Sequence, residues 1–307
     1  MKLESFLTVW LGALYLGLAA CSAASDASGL DEGARPALAS KAEPSSNMPA
    51  SAAPKAIQAQ PVALTYDILD TYPHDPSAFT QGLFFHQGVL YESTGRYGQS
   101  SLRKTEINTG RVLQKTDIPE QYFGEGITLW NDQIIYLTWR AGRGFIFGLE
   151  NFELRASFPY PGQGWGLTAN TTHLIQSDGS HILRFLDPET LAIVDTLEVR
   201  YKGRPLSKLN ELEWIEGMIW ANVWQSDMIF RIDPRTGKVT GEVDLAALHP
   251  AALRASPTDH VLNGIAYDPA QGIVYVTGKY WPRLFALNIE GLGTPLQDVS
   301  KKLATPP

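Results

Sequence analysis

Along most of the chain, short apolar runs alternate with polar residues at a period of two and are cut off by turn residues. "VALTYDIL", "GVLYEST", "QIIYLTW", "HLIQSD", "GMIWANV" and "GIVYVTG" are rich in Ile, Val, Leu, Tyr and Trp. Successive side chains of a strand face opposite sides, so this pattern predicts half-buried β-strands. Between the runs, "INTGR", "LDPETL", "IDPRTGKV" and "YDPAQG" supply the Gly, Pro, Asp and Asn that chain reversal favours. No long helical period competes with this pattern. Only 244–254, "DLAALHPAALR", predicts a short helix.

The runs are versions of one phrase. "QGLFFHQGVLYEST", "EGITLWNDQIIYLTW", "WGLTANTTHLIQSD", "NELEWIEGMIWANV" and "NGIAYDPAQGIVYVTG" each open on a small motif, turn, and end a second apolar strand at a polar or aromatic residue. The openings at Gln81, Glu125, Trp165, Asn210 and Asn263 are spaced by 44, 40, 45 and 53 residues. A period of that size, with about four strands per unit, marks propeller blades. The fold class is therefore all-β, a five-bladed β-propeller. A β-sandwich offers no reason for a phrase repeated five times. The early strand at 62–70 is left over, and pairing it with the last blade would close the ring and cover two open sheet edges.

In a propeller the first strand of each blade lies nearest the axis, so the five openings are expected at one mouth of the central channel. The second-strand ends add Glu92, Trp139, Asp178, Trp224 and Lys279 to that mouth. One such residue is ordinary filler. A carboxylate, an amine, carboxamides and several tryptophans together describe an apolar-walled site with a few polar groups.

The ends of the chain carry separate information. Residues 1–20 hold a lysine at position 2 and an apolar stretch from Phe6 to Ala20, too short to be read first as a membrane span and suited to a signal peptide. "LAAC" at 18–21 fits a bacterial lipobox, which predicts lipidation of Cys21. Glu4 weakens the basic region, and an ordinary cleaved signal peptide is the alternative. Residues 21–60 hold that cysteine and an Ala, Ser and Pro stretch too poor in large apolar residues to fold, a tether spanning roughly 35 Å as a random coil. Residues 61–307 are left for one domain. The expected location is the bacterial cell envelope, lipid-anchored and facing the periplasm at the outer membrane, and the domain is expected to act as a monomer.

Most of the net charge of −7 falls on the domain, which argues against a nucleic-acid partner. Cys21 is the only cysteine, so no intramolecular disulfide or thiolate zinc site is available. His74, His86, His173, His181, His249 and His260 show no pair at helical metal-ligand spacing, so no metal and no cofactor are expected. "RAGRGF" (140–145) lacks the context and ending of a phosphate loop and is read as a hairpin loop.

Several words are more specific than a propeller requires. "DPSAFTQGL" (75–83), "YESTGRYGQSSL" (91–102), "FGEGIT" (123–128), "GWGLT" (164–168), "SDGS" (177–180), "LNELEW" (209–214) and "VLNGIAYD" (261–268) closely resemble the glutaminyl cyclases of plant and bacterial type, in order and across the domain. The resemblance implies a five-bladed propeller that converts the N-terminal glutaminyl residue of a peptide or protein to pyroglutamate and releases ammonia, without a catalytic zinc. It carries functional positions onto Phe79, Gln81, Glu125, Trp139, Trp165, Asn210, Trp224 and Lys279. The lipobox and tether lie outside the family's catalytic pattern.

The chemistry suits these residues. The α-amine attacks the side-chain amide carbon of the same residue, so holding a bent conformer gains the advantage of an intramolecular reaction. One proton must leave the amine and one must reach the departing nitrogen, and Glu125 is the candidate to carry both. Lys279, Gln81 and Asn210 can donate to the developing oxyanion. Phe79, Trp139, Trp165 and Trp224 would wall the substrate, with Glu92 beside them. Asp178 either fixes a turn or supports the site. Two other readings compete: a non-catalytic propeller that binds a partner in the envelope, and a lactone or amide hydrolase, which would want metal-binding carboxylates around the channel.

Overall fold

The computed structural model describes residues 60–292. The signal segment, Cys21 and nearly all of the tether lie outside the described residues, as does the 293–307 tail.

Five antiparallel sheets form the blades. Blade I comprises Thr80–His86, Val89–Thr94, Ser101–Glu106 and Val112–Asp117. Blade II runs Gly124–Trp130, Gln133–Thr138, Arg143–Gly148 and Leu154–Pro159. Blade III is shorter: Leu167–Ala169, Leu174–Gln176, Ile182–Leu186 and Ile193–Glu198. Blade IV contains Leu209–Ile215, Met218–Val223, Met228–Ile232 and Val239–Asp244. Blade V takes Leu262–Asp268, Ile273–Gly278 and Arg283–Ile289 from the end of the chain, and its outer strand, Tyr66–Pro73, from the beginning. The first strands touch in the order I, II, III, IV, V and back to I, so the ring is closed.

The leftover early strand thus divides. Tyr66–Pro73 closes blade V, while Val62–Ala63 pairs in parallel with the outer strand of blade IV. The helix expected over 244–254 does not form: that stretch holds one 3-10 turn, Ala251–Leu253. Pro250 lacks a backbone N–H and clashes with the preceding turn, which stops a helix from running through it.

Buried apolar side chains among the described residues fall into five clusters, each a wedge between neighbouring blades. Phe84, Tyr91, Ile127, Tyr136 and Phe145 fill the wedge between blades I and II, for example. Each fully buried Leu, Ile or Phe is worth about 1.5–3 kcal/mol, so the wedges hold the blades in place.

The first strands are irregular at the same point. Pairing registers slip between Thr80 and Gly82, Gly124 and Ile127, Leu209 and Leu212, and Leu262 and Ile265. In blade III the strand starts only after Trp165 and Gly166. A bulge kinks its strand and re-aims a side chain. Glycine follows the re-aimed residue because the next blade comes too close for a Cβ. A Cβ on Gly126 would stand 2.6 Å from Leu167 N, and one on Gly166 would stand 2.0 Å from Asn210 O. Blade IV places Glu211 at this position instead. Its carboxylate accepts from Leu83 N of blade I at 3.3 Å and Ile265 N of blade V at 2.9 Å.

Candidate active site

The bulges turn Gln81, Glu125 and Asn210 toward one mouth of the channel, and with Trp165, which precedes the first strand of blade III, they line a cavity of about 450 Å³. Trp139, Trp224 and Lys279 join them, each the first residue beyond the second strand of its blade. One backbone hydrogen bond fixes each of these three. Trp139 N donates to Phe123 O at 3.0 Å, Trp224 N to Lys208 O at 2.9 Å, and Lys279 N to Val261 O at 2.9 Å. Phe79, just before the first strand of blade I, completes the set.

Glu92, expected among the substrate contacts, is not on this wall. The blade I counterpart of Trp139, Trp224 and Lys279 is Gly95, whose N–H donates to Phe79 O at 2.8 Å in the same pattern. A Cβ on Gly95 would meet the Phe123 ring at 2.3 Å, so this blade gives its place to that ring. Glu92 lies three residues earlier, opposite Leu83. Its carboxylate accepts from Thr80 Oγ1 at 2.7 Å and meets His74 Nε2 at 3.1 Å. Burial pushes its pKa up, but His74, Arg103 and the Thr80 hydroxyl outweigh that and hold it below the usual range. This buried pair lies off the cavity wall. Asp178 is likewise a turn residue, accepting from Ser180 N at 3.0 Å and pairing with Arg184 at 2.6 Å. Asn263 donates from Nδ2 to Thr80 O at 3.0 Å. Neither of these lines the cavity.

Glu125 is 4% exposed, and among the described residues its carboxyl oxygens have no hydrogen-bond partner. Burial pushes its pKa well above the usual carboxylate range, opposed in part by the Lys279 charge. Such a group holds a proton where an ordinary Glu has lost it. Lys279 is as deeply buried, and burial lowers its pKa to about 8 although Glu125 pulls it upward. Its ammonium lies 4.7 Å from the Phe79 ring centroid. Among the described residues, Gln81 Oε1 and Asn210 Oδ1 are buried without a partner. An unpaired buried acceptor costs about 1–3 kcal/mol, so both carboxamides stand ready for a ligand.

The walls support one another. Trp139 Nε1 donates to Gln163 Oε1 at 2.7 Å, and Trp165 Nε1 donates to the same oxygen at 3.1 Å. Trp165 and Trp224 meet edge to face at 5.8 Å, and Phe123 bridges Phe79 at 6.0 Å and Trp139 at 5.5 Å. Gln163 and Phe123 escaped the reading of the sequence. Phe123 stands inside "FGEGIT", and Gln163 lies two residues before Trp165, but neither is at a strand opening or strand end. Arg96, Arg140 and Asp259 at the mouth were missed for the same reason. Of the segment 140–145, read as a hairpin loop, residues 140–142 lie in the connection between the second and third strands of blade II, while Arg143, Gly144 and Phe145 already belong to the third strand.

Among the described residues the lining contains no Ser, Thr or Cys, and no three His, Cys, Asp or Glu side chains gather as metal ligands. The cavity offers a proton-holding carboxyl, an amine, two carboxamides with spare hydrogen-bonding capacity, and apolar walls.

Known proteins resemble this chain. The family model described as glutamine cyclotransferase matches residues 41–289. A glutaminyl-peptide cyclotransferase of Arabidopsis thaliana is 42% identical over 229 residues, covering 73% of this chain and 71% of its own. The crystal structure of a glutaminyl cyclase from Myxococcus xanthus has a TM-score of 0.71 at 37% identity, over 75% of this chain and 98% of that one.

Proposed function

This chain belongs to the glutamine cyclotransferase family, and from that premise we propose how its cavity works: it closes the N-terminal glutaminyl residue of a peptide or protein into pyroglutamate and releases ammonia, with Glu125 carrying the protons. The observation that carries the reading is the buried, unbonded carboxyl of Glu125 beside Lys279 in an aromatic-walled cavity.

The reaction needs no nucleophile from the protein. The neutral α-amine attacks the side-chain amide carbon, forming the ring C–N bond and leaving negative charge on the amide oxygen. Glu125 takes a proton from the attacking nitrogen and delivers one to the departing nitrogen. The old C–N bond then breaks and ammonia leaves, with Glu125 returned to its starting state. Its raised pKa keeps the proton available between these steps. Lys279 faces the oxyanion as the charged donor, in a site where burial makes that charge count for more than in water. Gln81 and Asn210 hold the polar edges of the substrate, and Phe79, Trp139, Trp165 and Trp224 hold its methylenes and keep out water that would hydrolyse the amide.

The location is part of the proposal. Cys21 is lipidated after removal of residues 1–20, the tether holds the propeller away from the envelope membrane on its periplasmic side, and the domain works as a monomer on peptide substrates. The "LAAC" word supports the anchor. Labelled fatty acid incorporated by the full chain and lost in Cys21→Ser is the expected result; equal labelling of both would refute it.

The activity is tested by mixing the purified protein with a short Gln-initiated peptide and following ammonia release and the matching mass loss, with and without a chelator. Cyclisation that persists with the chelator is expected. A peptide with an acetylated α-amine should not react. A folded protein that leaves the free peptide unchanged would overturn the reading.

A further inference from the structure

The mouth of the cavity carries more positive charge than the reaction at its base requires. Arg96 and Arg140 both line it, each laid over an aromatic wall: the Arg96 guanidinium is 4.0 Å from the Phe79 ring centroid and that of Arg140 is 3.8 Å from Trp139. Lys208 stands nearby, 5.4 Å from the Trp224 ring. Asp259, the one acid of the rim among the described residues, is already engaged by Arg96 at 3.2 Å. Arg96 is further fixed by Tyr280 Oη at 3.1 Å and by a backbone φ of 94°. A left-handed φ is costly for a non-glycine residue and is kept where the surroundings demand it. Arg140 is exposed and has no carboxylate partner among the described residues. On a chain of net charge −7, these cations make the mouth a local exception.

A substrate whose N-terminal Gln fills the cavity must run outward past this rim. Each extended residue advances about 3.3–3.6 Å, so the second and third residues meet the arginines. We propose that Arg140, supported by the rim charge of Arg96, selects peptides carrying Asp or Glu at the second or third position. A guanidinium seated over an indole presents its fork of donors with less freedom left to lose, which suits a carboxylate. The proposal rests on the cyclase reading of the same cavity and adds a substrate class to it.

The test compares kcat/KM for Gln-Glu-Ala-Ala, Gln-Ala-Ala-Ala and Gln-Lys-Ala-Ala, all C-terminally amidated, and for Gln-Ala-Glu-Ala amide. An exposed ion pair is worth about 0.2–1 kcal/mol, so the better-placed Glu peptide should exceed the Ala peptide by up to about fivefold, mainly through KM. The Lys peptide should fall below both, and the differences should shrink in about 0.5 M salt. Arg140→Gln should bring the Glu-to-Ala ratio close to one, and Arg140→Lys should restore part of it. Arg143→Gln, three residues on at the start of the third strand of blade II and off the cavity wall, should keep the preference; thermal melting checks that each variant is folded. Cyclisation of all peptides at equal rates, or a preference that survives Arg140→Gln, would overturn the proposal and leave the cyclase reading standing. Failure of every peptide to cyclise would remove both.

Discussion

Glu125→Gln separates catalysis from packing in this cavity. Gln has nearly the shape of Glu, and the Glu125 carboxyl makes no hydrogen bond among the described residues, so the substitution breaks no hydrogen bond there and opens no space. What it removes is, among the described residues, the only carboxyl on the inner wall. General acid–base catalysis contributes about 10²–10⁴-fold, or about 2.7–5.5 kcal/mol of barrier, and kcat should fall by that factor. Stability should move the other way. Burial raises the folded-state pKa of Glu125, so the folded chain holds a proton that the unfolded chain releases, and stability is lost as pH rises through the folded pKa. Gln carries no such penalty, so the variant should melt above the wild type at pH 8 and close to it at pH 4. Lys279, deprived of the charge that raises its pKa, should titrate below about 8. Ammonia release under single turnover measures the first effect, calorimetry at the two pH values the second, and peptide binding by titration calorimetry shows that the cavity remains. A variant within tenfold of the wild-type rate would refute the proton-carrier role. A lower melting temperature at pH 8 would refute the burial argument.

Three further outcomes follow from the same physics. The substrate amine loses its proton near 7.7–8.0, and Lys279 loses its own at about 8, so kcat/KM should peak close to pH 8; Lys279→Arg should remove the falling limb while lowering the rate, and an unchanged limb would assign it elsewhere. Gln163→Leu removes the acceptor shared by Trp139 and Trp165, two hydrogen bonds of about 1 kcal/mol each, and should raise KM about tenfold with a smaller effect on kcat; steady-state kinetics decides this. Glu213 is held protonated to about 8 by burial, against an ordinary value of 4.5, so it draws stability down between those pH values by up to about 5 kcal/mol; Glu213→Gln should flatten that fall in melting curves, and an unaltered pH dependence would refute it.

The propeller was legible because each blade repeats the same apolar and turn pattern, and a repeat constrains a fold more tightly than any one segment does. The polar members of the inner wall were legible for a related reason: Gln81, Glu125, Trp165 and Asn210 stand at the same place in successive phrases. The glycines beside them serve close approach, as the Leu167 backbone against Gly126 makes plain. Glu92 was misplaced because the second apolar run of blade I was taken to end too soon. Strand ends are set by backbone pairing, and the bond from Gly95 to Phe79 carries no mark in side-chain type. Gln163 and the rim arginines were invisible for want of a repeat: each belongs to one blade's connection alone.

The joining of the two chain ends in blade V has a consequence for the order in which the molecule is made. Lys279 comes from the blade whose outer strand is Tyr66–Pro73, and Gln81 from the blade that adjoins it, so the catalytic wall spans the seam. A nascent chain that has completed four blades has placed Glu125 and Asn210 but lacks Lys279, and its Tyr66–Pro73 strand has no neighbour until Arg283–Ile289 has been synthesised. Such a distant pairing carries a large loop-closure cost and is slow to form. Activity should therefore arrive late and all at once, as the last strand seats, and partial chains should be silent toward any glutaminyl peptide they meet.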